Sequence, residues 1–316
     1  MPREQAKRGW RRAALAALLA LAGACSSSNS EVNPDGAAGA TGTAGTTGTA
    51  GTTGAGGGEC APRATYTEAS HLIVNVTWPA GIASVTGSGQ LHIWGKAVFT
   101  ATGNTLSGTL QACGIVLPPT TLTALGGGGM IQIEVPNDAW DAPSMPHFQV
   151  DGTQTGPNLG DTLSYSYAAL VGFTMADPAT APWPSSYTGI TMTNDAEGDM
   201  NAGLTTVPRS GGGYTLPPTS ILQSSRADKL YIVVRQVTSA MLTRTACDQT
   251  SGSATFAYLN NHVVGCHVMG GDDCMPDDIK FIDQNRAIYG ITSATAQTKI
   301  IAETATCADV RAALPM

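Results

Sequence analysis

No Lys or Arg occurs between Lys96 and Arg209, a stretch that holds nine acids. Charged residues of every kind make up only 12% of the chain, and the formal net charge is −7. So little positive charge argues against nucleic acid as a partner, because phosphate backbones need a basic footprint. The same acidity suits divalent cations or basic ligands, or simply keeps an exported protein soluble. Long apolar runs are also missing. The greasiest stretch, Ala13–Ala22, is about half of the roughly 20 residues that a membrane-spanning helix requires. Familiar catalytic signatures are absent: there is no G-x-S-x-G elbow, H-E-x-x-H, S-x-x-K, C-x-x-C or phosphate loop, which removes the local-motif routes to acyl transfer, zinc hydrolysis and phosphoryl transfer. Paired glycosidase carboxylates stay open, since they come from distant strands and leave no local pattern.

What is present begins with an address. Arg3, Lys7, Arg8, Arg11 and Arg12 precede the apolar run, which ends in Leu21-Ala22-Gly23-Ala24-Cys25. A basic head, a short greasy middle and small residues at the end make a secretory signal over residues 1–24. The Cys directly after the small residues resembles the lipobox of bacterial lipoproteins. That resemblance implies cleavage before Cys25, acylation of Cys25 and a membrane partner through the N-terminal lipid. Ser26 in place of Asp implies the outer membrane. The alternative is plain secretion after an A-x-A site. Cleavage removes five basic residues and one acid, which moves the formal charge from −7 to −11.

Residues 26–58 are low in complexity, with Gly, Ala and Thr in near-repeats such as Thr41-Gly42-Thr43-Ala44-Gly45 and almost nothing apolar larger than Ala. They cannot bury enough surface to offset their ordering entropy. With Cys25 they are expected to form a lipidated, flexible spacer of roughly 30–35 Å end to end. Residues 59–316 remain as one domain, since no second linker of similar bias follows.

Two-residue alternation recurs through that domain. Leu72, Val74, Val76 and Trp78 share a face; so do Leu106, Gly108, Leu110 and Ala112; Ile131, Ile133 and Val135; Leu163, Tyr165 and Tyr167; Ile190 and Met192; Leu230, Ile232 and Val234; and Ala254, Phe256 and Tyr258. Gln90–Thr100 and Gln297–Ala302 are further strands, and Gly126–Gly129 and Gly211–Gly213 read as turns. The expected fold is all-β, an antiparallel barrel of lipocalin-like kind or a sandwich, with one or two short helices. Pro276-Asp277-Asp278-Ile279 opens one helix, with Ile279 and Ile282 facing inward. Thr306-Cys307-Ala308-Asp309 forms a capping box for the other.

Setting Cys25 aside for the lipid leaves six cysteines, Cys60, Cys113, Cys247, Cys266, Cys274 and Cys307, hence three disulfides and fifteen possible pairings. Cys266 and Cys274 flank a Gly-Gly-Asp-Asp turn and are expected to pair; Cys60 with Cys113 and Cys247 with Cys307 complete the expectation. A zinc site of His262, Cys266, His267 and Cys274 competes.

Asp195, Glu197, Asp199 and Asn201 place oxygen-bearing side chains at every second position ahead of Gly203. Hard cations want six to eight oxygens, so this segment resembles the calcium loops of secreted proteins. Met200 stands where such loops carry Gly, and Thr206 where an EF-hand carries its last Glu. The alternative is an acidic hairpin turn. Asp272, Asp273, Asp277 and Asp278 read as a solvated loop. Among the histidines (His71, His92, His147, His262, His267), His71 and His92 read as surface or satisfied core residues. Trp140 and Trp183 lie in Pro/Asp-rich loops and are either core aromatics or a stacking platform for a ligand.

Residues 229–290, with Leu230–Val237, Cys247, Cys266 and Cys274, resemble uncharacterised Cys-bridged β lipoproteins of Gram-negative bacteria, which have no assigned activity. The functional expectation is an outer-membrane-tethered lipoprotein whose β domain binds a small-molecule, glycan or protein ligand. The alternatives are an extracellular hydrolase acting on polysaccharide and a structural envelope protein.

Overall fold

The computed structural model describes residues 59–78, 86–121, 130–190, 194–209, 214–215 and 226–316. Residues 1–58, Cys25 among them, lie outside the described residues, as do Met192, Gly126–Gly129 and Gly211–Gly213. The strands are β1 (Thr65–Trp78), β2 (Gly87–Thr102), β3 (Thr105–Val116), β4 (Thr120–Thr121), β5 (Met130–Ile131), β6 (Ile133–Glu134), β7 (His147–Gln154), β8 (Thr162–Val171), β9 (Leu204–Pro208), β10 (Tyr214–Thr215), β11 (Arg226–Ala246), β12 (Gln249–Val268) and β13 (Gly290–Ile301). Two short helices, α1 (Pro276–Gln284) and α2 (Cys307–Ala313), complete the described elements together with single 3₁₀ turns at Asn137–Asp141 and Tyr187–Gly189.

The all-β expectation holds, and the pairing has a definite form. Every ladder between named strands is antiparallel. β12 pairs β13, β13 pairs β1, β1 pairs β2, and β2 pairs β3. β3 then pairs β7, β7 pairs β8, β8 pairs β11, and β11 returns to β12. Eight strands thus form a closed hydrogen-bonded circuit with no free edge between them. Further along β3, where β7 and β8 have ended, β6 and β9 take their place and bridge β3 to β11.

One face of each of the eight strands meets in a common core that includes Leu72, Val74, Val76, Leu91, Phe99, Leu106, Leu110, Val150, Leu163, Leu242, Ala254 and Ala296. The alternation of β1 and β3 puts these side chains inward, as the two-residue period requires. Full burial of each large aliphatic contributes roughly 1.5–3 kcal/mol. Close approach is needed at Gly252, where an added Cβ would lie 2.0 Å from the Met241 carbonyl oxygen. β11 has 21 residues and β12 has 20, and their ladder carries register shifts at Tyr231/Ile232 and Val237/Thr238, the bulges that let a long strand pair twist and curve. The extra residues at these shifts, Val264 and Ala257, belong to β12, so the expected Leu230, Ile232, Val234 face of β11 is kept, while Val233 on the opposite face is fully buried as well.

β7 carries no expected counterpart. Ile190 falls at the end of a 3₁₀ turn rather than in a strand. The Ile131–Val135 expectation survives only as two-residue ladders, β5 and β6. Both helices form where the caps place them. α1 has Pro276 at its first position, with Ile279 and Ile282 packed on Leu230, Val263 and the Cys266–Cys274 bridge. α2 carries both halves of the Thr306/Asp309 capping box and packs Val310 against Ala69, Trp94 and Cys113 on the outer side of the sheet.

All six domain cysteines are bridged, and the pairing corrects the expectation. Cys266–Cys274 is as expected, but the others are Cys60–Cys247 and Cys113–Cys307. The reason is topological. Cys113 points out of β3 under α2, whereas Cys60 lies over the turn joining β11 to β12. The zinc reading falls with the same finding, since the disulfide consumes both sulfurs; His262 and His267 face Asp283 and Asp228 instead.

Loop-closure entropy ranks the bridges. Cys266–Cys274 closes a loop with separation 8 and Cys113–Cys307 one with separation 194. Replacing both cysteines of the short bridge with Ala is expected to cost about 2 kcal/mol, and of the long bridge about 5 kcal/mol. Denaturant unfolding of the two double variants measures this, and equal losses would contradict the ranking.

Candidate ligand-binding site

Extended backward, the period of Leu72, Val74 and Val76 places Ser70, Glu68 and Tyr66 on the same inward face of β1. The structure confirms it: Glu68 is 3% exposed and Tyr66 is 9% exposed. Cross-strand register builds a polar layer around them. Arg244 pairs with Thr250, Thr250 with Thr298, and Thr298 with Ser70. The Thr250 and Thr298 hydroxyls lie 2.6 Å apart. Tyr66, Phe99 and Tyr165 form an aromatic row with ring centroids 5.6 and 5.9 Å apart.

Above this layer all the strand ends of the circuit meet: the starts of β1, β3, β8 and β12 and the ends of β2, β7, β11 and β13. A cleft of about 450 Å³ opens at that rim. Tyr66 and Arg244 are at its floor. Its walls come from Ala61–Ala64, the β2–β3 turn at Gly103-Asn104, the β7–β8 turn at Gly156-Pro157, and Ile300. The Cys60–Cys247 bridge fastens the 59–64 segment across the β11–β12 turn and so holds one wall. The volume is within the range of small-molecule sites.

Deeper inside, the circuit is filled. A void of about 20 Å³ touches Ser70, Tyr167 and Gln236, room for about one water with polar partners. Another of about 40 Å³ lies among Leu91, Leu117, Ile232 and Leu259. Both voids are far smaller than the rim cleft; a second open cleft of about 370 Å³ lies elsewhere, between Trp94, Glu134, Trp140 and Arg311.

The floor is electrostatically strained. Burial pushes the Glu68 carboxyl up to about 7 from its ordinary 4.5, against the pull of a Thr298 hydrogen bond and the Arg244 charge. Burial, then the neighbouring Glu68, also raises the Tyr66 phenol. Burial raises Tyr165 and Tyr167 too. Three buried polar atoms here have no hydrogen-bond partner: Tyr66 Oη, Glu68 Oε1 and Arg244 Nε. Orphaned buried polar groups cost roughly 1–3 kcal/mol each and call for an explanation.

The acidic loop lies elsewhere. Its four oxygen-bearing residues are brought together, but the carboxylates are engaged by backbone donors. Asp195 accepts from the N–H groups of Gly198, Asp199 and Met200 at 2.6–3.1 Å. Asp199 accepts from the N–H of Asn201 at 3.0 Å and from the Thr205 hydroxyl at 2.8 Å. Glu197 accepts from the N–H of Thr205. These bonds build a tight acidic turn, in which Met200 takes φ +70°. Among the described residues, no group of three or more His, Cys, Asp or Glu side chains is gathered for a metal ion. In the second acidic cluster Asp272, Asp273 and Asp277 are exposed as expected, but Asp278 is buried, at 2% exposure.

The remaining singled-out residues are mostly structural. His71 stacks on Trp94 at 4.4 Å and contacts His92 at 3.0 Å through ring nitrogens; burial and then His92 lower it to about 4, so it is neutral at physiological pH. Trp94 donates to the Leu314 carbonyl at 2.8 Å, tying down the C-terminus. Trp140 is core. Trp183 stacks on His262 at 5.3 Å, and the buried Arg235 guanidinium lies between the Trp183 and Tyr258 rings. His262 ring nitrogens face the Asp283 carboxylate and the Pro184 carbonyl, each at 2.9 Å. This cluster clamps the 177–190 segment onto β11 and β12.

Two outcomes follow. An acid with a raised folded-state value supports stability below its unfolded value and loses that support as pH rises through the folded one. Between about pH 4.5 and pH 7 wild type should therefore lose about 3 kcal/mol through Glu68, a slope absent in Glu68→Gln. Urea unfolding at both ends of that window reads it, and parallel losses would refute the buried acid. Met200→Gly relieves a left-handed backbone at a side chain 95% exposed, so stability should rise by about 0.5–1 kcal/mol; a lower melting temperature would contradict this.

The chain matches no protein-family model, no curated protein and no solved structure, so its functional reading rests on its own residues.

Proposed function

We propose that this chain is an exported lipoprotein, acylated at Cys25 and held at the outer membrane by a flexible spacer, whose β domain binds a ligand at the rim cleft. The observation that supports the binding half is the floor of that cleft, where Tyr66 Oη, Glu68 Oε1 and Arg244 Nε are buried without partners. A purely structural envelope protein has no use for three unmet hydrogen-bonding groups at the base of an open 450 Å³ cleft, which cost stability unless something completes them. The hydrolase alternative calls for two carboxyl groups across a cleft. Among the described residues no acid lines this one, and Glu68 lies beneath its floor.

The membrane half is supported by the basic head, the short apolar run and Ala22-Gly23-Ala24-Cys25. Several acyl chains on one cysteine hold a protein firmly where a single chain binds marginally. No helix among the described residues is long and apolar enough to cross a membrane. Expression of the full chain in a Gram-negative host tests the tether. Wild type is expected in the membrane pellet with an acylated Cys25 by mass spectrometry, and Cys25→Ala in the soluble fraction. An unprocessed N-terminus, or equal partition of the two proteins, would defeat it.

A further inference from the structure

We infer that the ligand of the rim cleft carries a carboxylate on a compact apolar body, the carboxylate being held by the edge of the Arg244 guanidinium. The inference rests on the reading of the rim cleft as the binding site and adds the chemical class of its ligand.

Charge is the first support. The chain is acidic, with 16 Lys and Arg against 23 Asp and Glu, yet among the described residues the charged ones that line the cleft are Arg63 and Arg244. The cleft is thus a positive spot on an acidic protein and focuses anions toward its floor.

Geometry is the second. Arg244 Nη1 donates to the Cys247 carbonyl at 3.3 Å, which anchors the far end of the guanidinium in the β11–β12 turn. Its Nε is buried and unpartnered, and Arg244 forms no ion pair among the described residues. A guanidinium fixed at one nitrogen, with Nε–H unmet, offers the planar two-donor edge that a carboxylate fits with two parallel hydrogen bonds. The Tyr66 hydroxyl, also buried and unpartnered, supplies another donor at the same floor. The orphaned donors therefore want one acceptor-rich group, and a carboxylate has acceptor sites for all of them.

The walls are the third. Pro62, Ala101, Pro157 and Ile300 line the cleft together with the polar Arg63, Asn104 and Gln154, so that the arginine shares the cleft with apolar surface that suits a hydrocarbon body.

Calorimetric titration of the purified full chain tests this. The probes are straight-chain monocarboxylates from acetate to decanoate, benzoate, the matching amides, sodium sulfate, and an N-acetylated apolar dipeptide with a free C-terminus. Saturable binding of a carboxylate, with the matching amide at least about tenfold weaker, is expected. Arg244→Lys keeps the charge but loses the fork and should weaken binding by about tenfold or more. Should Arg244→Gln fail to fold, Arg244→Lys and Tyr66→Phe carry the test. A shift of the Arg244 Nε–H resonance on titration locates the ligand. Preference for the dipeptide assigns the carboxylate to a peptide C-terminus; preference for an alkyl or aryl acid assigns it to a small molecule. Amides binding as tightly as acids at the same site would overturn the carboxylate class and leave the rim reading standing. Sulfate binding as tightly as any acid would overturn the apolar body. Absence of binding by every probe, or binding indifferent to Arg244, would overturn the inference.

Discussion

Strand β1 pairs along its whole length with β2 on one side and nearly its whole length with β13 on the other, while β11 and β12 form the longest ladder of all. Closure of these ladders through β3, β7 and β8 is the constraint on which the rest depends. A closed circuit gives every strand one inward face, and the period of two then dictates which side chains must fill the common core. Aliphatic and aromatic residues fill most of it. Near one end the inward face changes character, with Glu68, Thr250, Thr298 and Arg244 in one layer, and there the strands stop and a cleft opens.

That change carries an energetic consequence. A carboxyl group inside a packed core is held largely in its neutral form by desolvation, and its raised value records the cost. Folds tolerate such costs where a site requires them. The rim arginine, orphaned tyrosine and buried acid form a contiguous set, while two other buried charged groups are well engaged: Asp283 accepts from Val263 and faces His262, and Arg235 is hydrogen-bonded to Asn260 and Ala181 and stacked on aromatic rings. These two groups hold segments against the sheet. Single orphaned atoms remain at His71, Trp183 and Glu197, and both carboxyl oxygens of Asp278 are unpartnered; the rim set is distinguished by the open cleft that Tyr66 and Arg244 line.

Much of the architecture was legible from residue order. The face of Leu72, Val74, Val76 and Trp78, the strands around Leu106–Ala112 and Leu163–Tyr167, the Pro276 helix start and the Thr306/Asp309 box are local patterns, and local patterns survive folding. Glu68 and Tyr66 were within reach of the same rule, two and three steps back along the β1 face. Strand β7 was not, because Gly152 and polar residues interrupt the alternation of Phe148 and Val150. The buried Val233 was hidden because β11 is covered on both faces there, with Tyr231, Val233 and Arg235 all buried, and a period of two marks only one. The acidic loop was found as a cluster, but its carboxylates turned inward to their own backbone N–H groups, which spacing alone does not reveal.

By itself the sequence determined the leader, the cysteine inventory, the all-β class and the two caps, because each depends on neighbours within a few residues. The tertiary structure decided the two long disulfides and the membership of the rim cleft. Cys60 meets Cys247 across a separation of 187 and Cys113 meets Cys307 across 194. Tyr66 and Arg244 meet only because β1 and β11 end at the same rim. Such meetings are set by the order in which strands pair, a global property that no short window of residues contains.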